Sequence, residues 1–392
     1  MSRAIVIVLD SVGVGAQPDA RLFDDENTFT LKHVKEAVGD LRIPNLIRMG
    51  LYNIDGLQLP ETAEPIANFG KSLEKTPAKD TSAGHFELMG LVTEKPYKVF
   101  LDGFPPRIID ELERRVGTKT IGNYPSSGTE IIRVLGKEHV ETGYPIVYTS
   151  ADSVMQIAMH EEVIPLDRQY EICGIARSLL SGDDTVQRVI CRPFVGNERI
   201  GFTRTENRRD FSVDPPGDTL LDVLSAKGYD VIAIGKIEDI FNNRGITEAN
   251  HTRNNAEGIE ATIECAGKDF NGLLFANLVD FDMLYGHRND AKGYAKALEY
   301  FDANLPRILE KLRDDDLLII TADHGCDPTT KGTDHTREYI PILAYGLKMK
   351  KGVNLHVRNS FADIAATVGE HLGAASPAGV SFLDEISDSQ GG

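Results

Sequence analysis

A chain of 392 residues has the length for about two or three domains and a large buried core. With 41% hydrophobic and 26% charged residues it has the composition of an ordinary soluble globular protein, which excludes disordered, collagen-like and disulfide-stapled miniature folds. The 42 basic residues against 60 acidic ones leave a formal charge of −18, a field that repels nucleic acid and anionic membranes, so an anionic substrate needs metal ions or a local arginine cluster.

The first apolar run, 4–9, predicts a strand and stops at Asp10. It is too short for a signal-peptide core and ends in a carboxylate rather than small residues. No other apolar stretch approaches the roughly 18 residues of a spanning helix. The expectation is a soluble, cytoplasmic protein. Gly13-Val14-Gly15-Ala16-Gln17-Pro18 follows this strand but lacks the third glycine of a dinucleotide loop and carries Pro where a helix should continue. Lys79 to Gly90 then leads into a short helical pattern.

Residues 97–215 read differently, with amphipathic helices at 107–116 and 170–180 and short strands at 145–149 and 186–192. Turn-rich edges, Glu94-Lys95-Pro96 and Asp214-Pro215-Pro216-Gly217, mark this block as an inserted α+β domain. Beyond it, strands are predicted at 230–235, 272–279, 317–321 and 340–345, with helices at 218–227, 259–266, 291–313 and 361–372. Near-continuous Val/Ile/Leu runs alternating with helices predict an α/β core with a doubly wound, mostly parallel sheet. The domains are then 1–96 and 216–392 for the core and 97–215 for the insert.

Four places put carboxylates and imidazoles where a strand should end: Asp10; Asp280 and Asp282 followed by His287; Asp323-His324; and Asp334-His335. Ligands of open α/β sheets collect beyond the carboxyl ends of the strands, so these distant segments converge on one crevice. A single Asp there is as well explained as a helix cap; Asp323-His324 together with Asp282 and His287 is not. Three Asp and three His ligands are too rich in nitrogen for calcium and too rich in oxygen for structural zinc, and suit manganese or zinc in a two-metal phosphoryl-transfer site. Thr81 and Ser82 open the helical pattern after Asp80, where backbone N–H groups hold phosphate. Either hydroxyl is a nucleophile if activated, metal coordination being one route; Ala83 cannot serve.

These segments, Asp10-Ser11-Val12-Gly13-Val14-Gly15, Lys79-Asp80-Thr81 with Gly84-His85, Asn277 to Asp282 with Gly286-His287, Asp323-His324-Gly325 and Gly332 to Arg337, resemble the bacterial phosphopentomutases of the alkaline phosphatase superfamily. The insert adds matching runs at Ile121-Gly122-Asn123, Ser127 to Glu130, Tyr148 to Ser153 and Arg192 to Gly196. The resemblance spans nearly the whole chain and implies an alkaline-phosphatase-type core with a cap. It implies one manganese held by Asp10, Asp323 and His324 and facing Thr81, the phosphorylated residue, and a second held by Asp282, His287 and His335. Zinc and magnesium are alternatives to manganese. It implies interconversion of ribose 1-phosphate, or the 2-deoxy sugar, with the 5-phosphate through a 1,5-bisphosphate, primed by a sugar bisphosphate such as glucose 1,6-bisphosphate. Asp152, Arg192, Arg204, Arg208 and Lys236 become the candidate contacts of the pentose phosphate, and Arg suits that role through its planar fork.

Two positions depart from the family pattern. Fewer hydroxyls follow Thr81, and Cys326-Asp327 stands where Asn-Asp is usual. Cys326 is an inert buried thiol or a soft donor that raises zinc affinity and sensitivity to oxidation. The basic run Arg204 to Arg209 is short and without aromatic interleaving, so nucleic acid is not expected as a partner. His33, His139, His160, His356 and His371 read as structural or surface residues. The runner-up activity is a metal-dependent phosphatase or phosphodiesterase, because phosphorylated Thr plus admitted water is hydrolysis. A non-catalytic metal- or partner-binding protein is the third reading, and it predicts that Thr81→Ala changes nothing.

Overall fold

The structure, a computed structural model, describes residues 2–95, 97–150 and 153–388. Its contacts divide into two compact units, Met1–Lys95 with Pro215–Gly392, and Pro96–Asp214. Ahead of the insert the chain forms β1 (Arg3–Leu9) and β2 (Asn68–Ser72). The inserted unit holds β3 (Ile121–Pro125), β4 (Ile146–Thr149), β5 (Val154–His160), β6 (Arg188–Asn197), β7 (Gly201–Arg204) and β8 (Arg209–Ser212). After it come β9 (Asp230–Ile234), β10 (Glu248–Asn250), β11 (Gly272–Leu278), β12 (Leu317–Thr321), β13 (Ile340–Tyr345) and β14 (Asn354–Arg358).

In the first unit, eight strands among the described residues make one sheet in the order β10-β9-β11-β1-β12-β13-β2-β14. Strands β1, β11 and β12 are buried at every position, as apolar strands covered on both faces must be. Their pairing is parallel, Val8 lying opposite both Asn277 and Thr321. That register ends all three strands at one level, so the residues just after them, Asp10, Val279 to Asp282 and Ala322 to His324, emerge on one edge. Only β13 runs against its neighbours, β12 and β2. The α/β, mostly parallel expectation therefore holds, with an antiparallel strand within it. The apolar runs expected as strands are strands, while β2, β10 and β14 come in addition. Gly70 of β2 lets β14 close in: a Cβ there would stand 2.8 Å from that of Leu355.

The inserted unit is an α+β sandwich on a six-stranded sheet ordered β3-β4-β5-β6-β7, with β8 also on β6. Alternation along the strands separates two cores. Val147, Met155, Ile157 and Met159 pack with Ile108 and Leu112 of helix Pro106–Val116 and with Ile172 and Ala176 of helix Leu166–Leu179. Ile146, Tyr148 and Ala158 pack with Ile131 and Ile132 of helix Gly128–Thr142, an element the periodicity did not indicate.

Candidate metal centre

Asp10 follows β1, and the next residue, Ser11, turns the chain with φ 94°, a left-handed conformation costly for a side chain other than Gly. The Ser11 hydroxyl meets the buried Tyr294 hydroxyl at 3.2 Å, which holds this turn. Asp323 and His324 follow β12 in the same way. Asp282 lies in a single π-helical turn, Phe281–Tyr285, after β11; such turns widen a helix by one residue and re-aim its side chains. His335 is returned to the edge by a two-bond bridge, Gly325 N to Thr336 O at 3.2 Å and Thr336 N to Gly325 O at 2.7 Å. The His324 and His335 rings consequently stack with centroids 3.9 Å apart.

Thr81 is the first residue of helix Thr81–Leu88, which Asp80 caps by accepting the Ala83 N–H at 2.9 Å. Its Oγ1 lies 3.1 Å from His324 Nε2. The approach depends on Gly84, because a Cβ at this helical position would sit 2.1 Å from the Asp323 carbonyl oxygen. No such contact is found for the Ser82 hydroxyl among the described residues.

Backbone acceptors set the imidazole tautomers. His287 Nδ1 is 2.6 Å from the Thr333 carbonyl and His324 Nδ1 3.0 Å from that of Gly325. Each Nδ1 therefore donates outward, which leaves each Nε2 facing the carboxylates. The His287 Nε2 lies 3.2 Å from Asp282 Oδ2, and His324 Nε2 lies 3.2 Å from Asp323 Oδ2 and 3.6 Å from Asp10 Oδ1. An imidazole nitrogen this close to a carboxylate needs a proton or a metal cation between the two. Among the described residues, Asp10 Oδ1, Asp282 Oδ1, both Asp323 oxygens and His335 Nε2 are buried without a hydrogen-bond partner. Orphans of this kind are rare in folded proteins and expensive. They fall into two ligand groups, Asp10, Asp323 and His324, and Asp282, His324 and His335, with a third formed by Asp282, His287 and Cys326. Donors and orphaned atoms together fit a pair of divalent cations.

The electrostatics of the cluster's own groups agree. Burial, then the charges of Asp323 and Asp282, pushes Asp10 up to about 7. Burial works the same way on Asp282 and Asp323, but there the imidazoles outweigh it, His335 and His287 for the first and His324 and His85 for the second, holding both carboxyls below the usual range. Burial depresses His324, yet Asp323 and Asp10 raise it well above the ordinary imidazole value; His287 is raised by its contact with Asp282.

Two residues that sequence reasoning left without a role support the ligands. Asn277 donates to Asp10 Oδ2 at 2.8 Å and lies 3.2 Å from His85 Nε2, while His85 Nδ1 bonds the Thr81 carbonyl at 2.8 Å. One chain of contacts thus joins Asp10 to the backbone of Thr81. His85 was legible as the residue one helical turn after Thr81; Asn277 carried no such signal.

Lys236, just past β9, reaches to 3.9 Å from Met283 Sδ in the turn that carries Asp282, so it belongs to the same sheet edge. Arg192, Arg204 and Arg208 come together in the inserted unit, lining a cavity of about 590 Å³ with Thr129, Pro193 and Phe202. Arg208 forks onto Asp210 with two 2.7 Å bonds, and Arg192 donates to Gln156 at 3.0 Å. Burial, then Arg208, lowers the Arg192 guanidinium from its usual value. Asp152 lies outside the described residues. Of the histidines read as structural, His139 bonds the Tyr144 carbonyl, and His33 and His356 do have carboxylate partners, Asp327 at 2.5 Å and Asp55 at 3.0 Å, away from the cluster.

A mostly parallel α/β sheet whose carboxyl edge gathers buried Asp and His ligands defines a metalloenzyme, and residues 2–376 match the Metalloenzyme superfamily. A protein of solved structure from Pyrococcus horikoshii shares the fold, with a TM-score of 0.50 at 16% identity over 96% of this chain and 98% of that one. The phosphopentomutase of Acetivibrio thermocellus is 55% identical, covering 98% of this chain and 100% of its own. That of Caldanaerobacter subterraneus subsp. tengcongensis is 56% identical over 98% of both. The chain belongs to the phosphopentomutase family. No helix among the described residues is long and apolar enough to cross a membrane.

Proposed function

We propose that the enzyme is an isomerase that interconverts ribose 1-phosphate, or its 2-deoxy counterpart, and the 5-phosphate by way of phosphorylated Thr81 and a 1,5-bisphosphate. The observation that supports it most directly is the Thr81 hydroxyl, at a helix N-terminus and 3.1 Å from His324 Nε2, beside buried carboxylate oxygens without partners. Asp10, Asp323 and His324 would hold one manganese and Asp282, His287 and His335 the other. Bound there, two divalent cations supply the positive charge that a phosphoryl group needs in transit.

The rest falls to the chain's own groups. Thr81 arrives phosphorylated, primed by a sugar bisphosphate such as glucose 1,6-bisphosphate. A free sugar hydroxyl attacks phosphorus; the new P–O bond forms as the bond to Thr81 Oγ1 breaks, and the sugar becomes a bisphosphate. The other phosphate then returns to Thr81. Backbone N–H groups at the start of helix Thr81–Leu88 donate hydrogen bonds to the phosphoryl oxygens. His85 and Asn277 keep Thr81 and Asp10 in register. Arg192, Arg204 and Arg208, with Asp152 and Lys236, grip the sugar phosphate, the guanidinium forks being matched to phosphate oxygens.

Intact-mass measurement after incubation with glucose 1,6-bisphosphate and manganese tests the scheme. Wild type gains one phosphate and Thr81→Ala gains none, and primed wild type converts ribose 1-phosphate to ribose 5-phosphate. Release of inorganic phosphate without ribose 5-phosphate identifies the runner-up, a phosphatase.

A further inference from the structure

Arg337 stands two residues past His335 and is 2% exposed, a burial that arginine tolerates only when its charge and its N–H groups are met. Here most of the partners come from the stretch that leads into Thr81. Nη1 donates to Glu74 Oε2 at 2.6 Å, to the Thr76 carbonyl at 2.8 Å and to the Ala78 carbonyl, and Nη2 donates to the Glu74 carbonyl at 2.7 Å. The other edge of the fork meets Asp19, Nε at 3.2 Å and Nη2 at 3.0 Å. The backbone of Arg337 is held as well, its N–H donating to Asp25 Oδ2 at 2.9 Å and its carbonyl accepting from Gln17 N at 3.0 Å. A second tie runs beside the first: Lys79 Nζ lies 3.0 Å from the same Asp25 oxygen and 3.4 Å from Asp334 Oδ2. The stretch 74–79 is thus fastened twice to the segment that carries His335. Three residues past Thr81, Gly84 rests against the Asp323 carbonyl, so helix Thr81–Leu88 has a stop on either side of Thr81.

We propose that Arg337 is a positioning residue for phosphoryl transfer: its buried guanidinium fixes the chain ahead of Thr81 onto the His335 segment, so that the Thr81 hydroxyl keeps its place beside His324. The inference rests on the reading of Thr81 as the phosphorylated residue. Arg337 acts through the backbone of that stretch rather than on the reacting atoms. Placement is what such a role controls, and a shift on the order of 1 Å costs about a hundredfold in rate. Lysine cannot stand in, because an ammonium is a point charge whose donors do not span Glu74, Thr76, Ala78 and Asp19 together. Arg3 supplies the comparison. It too is fully buried, donating to Asp316 Oδ1 at 3.0 Å and to the carbonyls of Ala266, Lys268 and Lys311 at 2.8, 2.9 and 3.1 Å. But Arg3 opens β1, and Asp10 follows the far end of that strand, on the order of 20 Å away at the rise of a β-strand.

The test compares Arg337→Lys with Arg3→Lys in the whole, manganese-loaded enzyme after priming with glucose 1,6-bisphosphate. Both variants should melt earlier than wild type and keep the wild-type number of bound ions. Arg337→Lys should lose about a hundredfold in kcat while its KM for ribose 1-phosphate stays within about twofold, and Arg3→Lys should keep both constants. Glu74→Ala removes a single link to the same guanidinium, and its kcat should fall by about tenfold. That variant decides the matter if Arg337→Lys does not fold. Wild-type kcat in Arg337→Lys or in Glu74→Ala, an equal loss in Arg3→Lys, or an ion missing from Arg337→Lys overturns the proposal while leaving the role of Thr81 intact. Wild type that gains no phosphate on priming overturns the reading of Thr81 and this inference with it.

Discussion

At the sheet edge of the first unit, Asp10, Asp282 and Asp323 are buried, and several of their oxygens have no hydrogen-bond partner among the described residues. In the cavity of the inserted unit, Arg204 and Arg208 are exposed, Arg192 is half-buried, and Asp210 already neutralises part of their charge. On the proposed function the two places take ligands of opposite sign, and only the first should be unstable without them. A buried carboxylate without a cation carries its desolvation cost in full, whereas an exposed guanidinium is solvated by water. Ligand removal should therefore be felt as lost stability in the first unit and only as lost affinity in the second.

Chelation is the strongest way to break that comparison. Removing divalent ions should abolish turnover and lower the melting temperature, by an amount that depends on pH. Asp10 rises from 3.8 to about 7 in the metal-free fold, so between these values the folded state holds a proton the unfolded state has released, and stability falls as pH climbs through the window. His324 and His287, raised above 6.5, stabilise fully below that value and lose the contribution as pH passes their folded values. Asp282 and Asp323, depressed below 3.8, lose theirs only in stronger acid. Cations replace those protons, so the melting gap between manganese-loaded and chelated protein should widen from about pH 4 upward. A gap independent of pH in thermal melts would show that the cluster does not carry this charge.

Asp323→Asn comes next. It leaves the shape of the site but removes charge from the group beside Thr81, and turnover should fall by about a thousandfold or more, as when a preorganised charge partner is lost. Metal analysis should find one ion per chain instead of two. Gly84→Ala sharpens the point without removing a carboxylate or imidazole. The added methyl meets the Asp323 carbonyl at 2.1 Å, so helix Thr81–Leu88 must move away and carry Thr81 with it. A displacement on the order of 1 Å costs about a hundredfold in rate, with metal content unchanged. Wild-type turnover in this variant would show that the helix has slack.

The same contrast explains what the sequence made legible. Strands β1, β11 and β12 are apolar without interruption because both faces are covered, and each ends at the residue that carries the chemistry, so fold and ligands were read together. The strands β2 and β14 were not. Asn68-Phe69-Gly70-Lys71-Ser72 has no apolar run, and β14 carries His356 at φ 53° where its pairing with β2 shifts register. Helix Gly128–Thr142 was hidden by glycines that look like breakers; Gly136 is there because Phe202 packs where its Cβ would be, at 2.5 Å. Tertiary packing decided these elements, and packing is not written in local periodicity. Asn277 escaped for a related reason: inside an apolar strand, a lone amide gives no hint that it faces Asp10.

The smallest effect is expected in the inserted unit. Arg192→Ala removes one guanidinium from a cavity that keeps Arg204 and Arg208. It also frees Gln156 Oε1, whose bond to Arg192 Nε water can replace. The melting temperature should stay within about a degree, since the arginine is half-exposed and its removal relieves repulsion from Arg208. The specificity constant kcat/KM for the pentose phosphate should fall by about tenfold to a hundredfold, the worth of one charge-assisted contact of roughly 1.5–3 kcal/mol. Arg192→Lys should recover only part of it, because an ammonium cannot fork onto two phosphate oxygens. If Arg192→Ala instead melts early and keeps its KM, the arginines are structural, and the contrast between a buried cation site and an exposed anion site fails at its second half.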